Sequence, residues 1–156
     1  MRVPCASYLR ALLGMLLASI CAHGAAARAD AVAVEHGRQL FVGKRPMSGL
    51  ITGHAATLPA HASRCMNFHA AGTAPKSVSA SASTPLLGPT LTIRLLTQPV
   101  ARRGGPPSHY DEASLCRLLR TGVDPAHVII ARAMPRYELS AAECHALWMY
   151  LSKQQT

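Results

Sequence analysis

Apolar positions recur at helical spacing in three stretches of the chain. Residues 31–42 (AVAVEHGRQLFV) carry Val34, Leu40 and Phe41 on or near one face and predict a helix. Leu115, Leu118 and Leu119 form a second stripe. It lies between a capping-box pattern, Ser108 followed by Asp111, and Gly122, a natural helix stop. Ser140 and Glu143 make another capping box, after which Cys144, Leu147, Trp148 and Leu151 mark one face of a terminal helix. Elsewhere the pattern breaks. Gly43, Gly49, Gly53 and Pro59 interrupt residues 43–64, and the Ala/Ser/Pro-rich residues 71–89 and residues 99–108 predict loops. No run alternates like a half-buried strand, and no repeat is present. The expected class is all-α with long loops.

The chain begins with a different kind of segment. Arg2 and Arg10 flank a positive start, and residues 11–22 (ALLGMLLASICA) are apolar for about twelve residues. That is too short to span a bilayer and suits the apolar region of a signal peptide. Ala27-Arg28-Ala29 fits the small-x-small cleavage pattern, so residues 1–29 are expected to be a signal peptide and 30–156 the exported domain. A retained amphipathic anchor is the alternative. The expected compartment is the periplasm.

Composition narrows the field. Of 156 residues 49% are apolar but only 4% aromatic, a thin Ala/Leu core for a stand-alone enzyme and one that a bulky apolar cofactor would fill. Charged residues are 15%, too few for a charge-rich disordered chain, and no 18-residue apolar run suggests a multispan membrane protein. Without Arg2, Arg10 and Arg28 the 16 basic residues fall to 13 against 7 acidic, so the exported domain carries +6. That charge favours an acidic docking surface on a partner. Nucleic acid is not expected, because the basic residues are scattered without interleaved aromatics. No Ser/His/Asp order, phosphate-cradling loop or paired-carboxylate motif stands out, so no enzyme activity is expected.

Cysteine usage adds a constraint. Cys5 and Cys21 fall in the signal segment, leaving Cys65, Cys116 and Cys144. Cys116 and Cys144 sit in expected helices 28 residues apart and are candidates for a disulfide, with two buried free thiols as the alternative. Cys65 is then left over beside a histidine.

Cys65-Met66-Asn67-Phe68-His69 is the centre of the chemistry. A c-type haem site is written C-x-x-C-H, with two thiols that add to haem vinyl groups and a His that binds iron. Cys65 and His69 keep the i, i+4 relation that places both on one face of a helical turn. Phe68 stands at the second Cys position and forms no thioether. Met134, 65 residues after His69, precedes Pro135, which biases it toward extended backbone in a loop able to present its sulfur to a metal. Gly88-Pro89-Thr90-Leu91 is a tight turn, and Arg102 and Arg103 are loop charges expected in solvent, with pairing to haem propionates as the alternative where haem is bound.

The ordered set GRQLF, CMNFH, GPTL, MPRY and LWMYL resembles the class I cytochrome c family over roughly residues 31–153. The segment RRGGPPSHYDEASLCRLLRTGVDPAHV also looks like the region before the axial Met in some bacterial members. The resemblance implies a cytochrome c-like fold with N- and C-terminal helices crossing around a haem pocket. It implies one haem c with His69 and Met134 as axial ligands, Cys65 as the thioether, and one-electron transfer to a redox partner. Because Phe68 allows only one link, three outcomes stay open: attachment through Cys65 alone, non-covalent haem, or a vestigial site. A haem-free accessory subunit of a dehydrogenase or oxidase complex is one alternative. A copper or zinc module built on His61, Cys65 and His69 is another.

Overall fold

A computed structural model describes residues 26–71 and 88–153. Residues 26–32, helical and exposed, belong to a first unit, Met1–Val32. The rest of the expected signal peptide lies outside the described residues, as do residues 72–87 of the loop expected over 71–89. No helix among the described residues is long and apolar enough to cross a membrane. The described residues of the second unit, Ala33–Thr156, are mostly helical with one small sheet.

Its first helix, α1, covers residues 33–42, and Leu40 and Phe41 are buried. The sheet is the first departure from expectation. Strand β1, Ser48–Leu50, pairs antiparallel with β2, Arg136–Glu138, with Gly49 opposite Tyr137. Each strand has three residues, so neither shows enough alternation to mark itself. Gly49 fits here because a Cβ would come within 3.2 Å of the Tyr137 ring.

Helix α2, Ile93–Thr97, is likewise short. The Thr92 side chain accepts from the Leu95 amide at 3.1 Å, and the helix stops at Gln98, the residue before Pro99. Helix α3, Glu112–Thr121, corrects the expected cap. Asp111, not Ser108, is the N-cap, in a reciprocal box with Ser114. Ser108 is held elsewhere, bridged to Val100 by two backbone hydrogen bonds of 3.0 and 3.1 Å that close the loop between them. Gly122 ends α3 in the left-handed conformation, φ 77°, which glycine adopts without a Cβ clash. Helix α4, Ala141–Ser152, starts at Ser140 with Glu143 closing the capping box.

The helices close around one apolar core. Leu115, Leu118 and Leu119 of α3 and Leu147 and Leu151 of α4 are all buried. Cys116 and Cys144 are bridged, with Cα atoms 5.3 Å apart, fastening α3 to α4. Helices α1 and α4 meet at Gly37, where a Cβ would lie 1.9 Å from the Ala146 carbonyl oxygen. The Phe41 and Tyr150 rings pack beside that contact with centroids 5.5 Å apart.

Candidate functional site

The core lines a partly open cavity of about 360 Å³, within the range of small-molecule sites. Leucines of α2, α3 and α4 form much of its wall. Cys65, His69 and Met134 also line it, as do Phe68 and both loop arginines, Arg102 and Arg103. Residues separated by up to 110 positions, Phe41 to Leu151, therefore share one apolar chamber.

Cys65 opens a single 3-10 turn, Cys65–Asn67, rather than an α-helix. The amides of Phe68 and His69 both reach back to the Cys65 carbonyl, at 3.0 and 2.9 Å. The turn is anchored from behind. The buried Tyr137 hydroxyl donates to the Ser63 carbonyl at 2.9 Å, and the Ser63 hydroxyl donates to the Met47 carbonyl at 2.9 Å. Tyr137 lies in β2, three residues after Met134. The small sheet thus ties the segment carrying Met134 to the turn carrying Cys65 and His69.

His69 is held in a defined state. Its Nδ1 lies 2.9 Å from the Pro89 carbonyl, which only accepts, so Nδ1 carries the proton and Nε2 keeps an unprotonated lone pair able to ligate a metal. Burial holds the imidazole below its ordinary pKa, with the Pro89 carbonyl opposing, so the neutral form that ligates metals is favoured. Gly88 is part of this seat, because a Cβ there would fall 2.1 Å from His69 Cε1. Met134 is half-buried in a bend, its amide bonded to the Ala131 carbonyl at 3.1 Å, and Pro135 behind it is fully buried.

Cys65 is buried, and burial pushes its thiol up to about 12 despite an opposing contribution from the Tyr137 hydroxyl. It is a neutral thiol at neutral pH. Cys65, His69 and Met134 are the cavity's Cys, His and Met side chains, a soft thioether and an imidazole that suit an iron porphyrin. Apolar walls, a neutral imidazole with its tautomer set, and a thioether sulfur on one chamber fit haem.

Other expected participants stand apart. His61 is exposed and does not line the cavity, although its carbonyl accepts from Asn67. Among the described residues no group of three or more His, Cys, Asp or Glu is arranged to hold a metal ion. The Cys116–Cys144 bridge is not on the cavity wall. Sequence reasoning missed Tyr137, Ser63, Tyr110 and Asp124. Tyr137 stands in the MPRY segment and Tyr110 and Asp124 in the segment from Arg102 to Val128, but neither segment told their contacts, and nothing local marked Ser63. Comparison with protein-family models, with curated proteins and with solved structures finds no match for this chain.

Proposed function

We propose that the exported domain, on a cytochrome c-like fold, binds one haem in this cavity and serves as a periplasmic electron carrier rather than an enzyme. The observation that carries the reading is the convergence of Cys65, His69 and Met134 on one apolar cavity, with His69 Nδ1 engaged by Pro89. Bound haem supplies a one-electron redox centre. His69, through Nε2, and Met134, through its sulfur, would hold the iron. Cys65 would supply a single thioether, and Phe68, which also lines the cavity, forms none. The surrounding leucines make the chamber apolar. The net positive charge of the domain favours an acidic docking surface on its redox partner and makes encounter rates fall with salt.

A second reading, a haem-free accessory subunit of a dehydrogenase or oxidase complex, draws on Phe68 at the cavity wall. One experiment separates the two. The chain is expressed in cells that attach haem c, and a reduced-minus-oxidised visible spectrum is recorded. A sharp low-spin band, retained after denaturing electrophoresis and lost from the gel in Cys65→Ala, is expected. Met134→Ala should alter the band in the native protein. A colourless product would overturn the reading.

A further inference from the structure

Met134 lines the cavity from a bend whose neighbours face solvent. Ala131 and Ala133 stand on the same wall and are exposed, and Met134 itself is half-buried. A methionine side chain rotates about three single bonds, so its sulfur keeps one place only where the backbone beneath it is fixed. Pro135, fully buried, anchors one side of the bend.

The following residue supplies a second anchor. Arg136 and Tyr137 are neighbours in β2, so their side chains leave opposite faces of the strand. Tyr137 turns into the core, where its hydroxyl meets the Ser63 carbonyl. Arg136 turns to the end of α3. Its Nη1 donates to the Met134 carbonyl at 2.6 Å. Its guanidinium lies on Gly122, where a Cβ would fall onto Cζ and Nε. Gly122 is therefore required twice, by its φ of 77° and by the guanidinium that takes the place of a side chain. Among the described residues no carboxylate pairs with Arg136. Its charge faces main-chain dipoles instead, the Met134 carbonyl and the carbonyl end of α3, the end of a helix that attracts a cation. The Ile130 amide donates to the Gly122 carbonyl at 2.9 Å, so the chain leading into the bend is tied to the same glycine. A second arginine, Arg120 of α3, donates from Nε and Nη2 to the Leu139 carbonyl at 3.1 and 2.6 Å and braces the far end of β2.

We propose that Arg136 is the positioning residue of Met134: seated on Gly122 and bonded to the Met134 carbonyl, it holds the thioether on the cavity wall. This deepens the haem reading, on which Met134 is the second axial donor, but the clamp is built from the chain alone and is tested without haem.

The test oxidises the full haem-free chain with dilute hydrogen peroxide and follows the sulfoxide at each methionine by peptide mass spectrometry. Met66, 45% exposed and on another segment, is the internal standard. In Arg136→Ala the rate at Met134 relative to Met66 is expected to rise at least about threefold. Gly122→Ala, whose methyl displaces the guanidinium while leaving the arginine in the chain, should raise it as well. The two variants reach the clamp from its two sides, so either alone decides. Arg120→Ala removes the neighbouring brace and should leave the ratio within about twofold of the unaltered chain. A ratio unmoved in Arg136→Ala or in Gly122→Ala would overturn the proposal. An equal rise in Arg120→Ala would overturn it too, because the effect would then be general loosening. In protein expressed with haem, Arg136→Ala should also weaken the ferric absorption band that reports an iron–sulfur bond. An unaltered chain that takes up no haem would overturn the haem reading alone, and the oxidation ratio would still decide the clamp.

Discussion

Gly88 sets the orientation of His69 by lacking a side chain. A methyl group there would stand 2.1 Å from Cε1 and 2.5 Å from Nδ1 of the imidazole. The ring must then turn, and its bond to the Pro89 carbonyl must lengthen or break. On the proposed haem reading, Gly88→Ala is therefore expected to weaken haemin binding by about 10–100-fold, the usual cost of disturbing a ligand's outer partner, with helical circular dichroism unchanged. Affinity within twofold of the unaltered chain would show that the ring has room the contacts deny. Cys65 makes the opposite kind of demand. A rise to about 12 from 9.0 lowers its thiolate fraction about a thousandfold at neutral pH. In the folded haem-free chain, iodoacetamide should alkylate Cys65 at least about a hundredfold more slowly than in urea, read by mass spectrometry. Comparable rates would mean that the turn at Cys65–Asn67 does not bury the sulfur.

The helices and the sheet answer to different physics. Helix α1 reaches the α4 backbone only because Gly37 is bare, so Gly37→Ala must push the two apart. A loss of about 1–3 kcal/mol in urea unfolding is expected, and an unchanged midpoint would contradict the close contact. The disulfide between α3 and α4 closes a 28-residue span, and replacing both cysteines by Ala should cost roughly 3–4 kcal/mol in the same assay. Helices α3 and α4 were legible because each carries a buried stripe over at least ten residues and a cap. Helix α2 and both strands were not, since five and three residues are too few to display a period. The misplaced cap has a tertiary cause: Ser108 is committed to Val100 across the loop, leaving Asp111 to start α3. The same divide runs through the site. Cys65, His69 and Met134 were marked by residue type and local spacing. The Pro89 contact spans 20 residues and the Tyr137–Ser63 bond spans 74, so neither leaves a local trace.

At the scale of the whole molecule, acid separates the roles of His69 and the carboxylates. Asp111 is held below the usual carboxylate range by hydrogen bonds from Ser114, and Glu143 by those from Ser140. Their contribution to stability is present above the ordinary carboxylate values near 4 and is lost only at lower pH. His69 acts earlier. Burial depresses its folded pKa, so between that value and the ordinary imidazole value of about 6.5 the unfolded chain binds the extra proton. Stability of the haem-free fold should therefore fall as pH drops below about 6.5, by at most about 1.4 kcal/mol per pH unit, and level off beneath the folded pKa. Urea unfolding at pH 7.5, 6.5, 5.5 and 5.0 measures the slope. His69→Asn, whose side-chain amide can take the place of Nδ1–H toward the Pro89 carbonyl but does not titrate, should remove it. A slope that persists in this variant would assign the acid sensitivity to another group and leave the imidazole uncoupled from the fold.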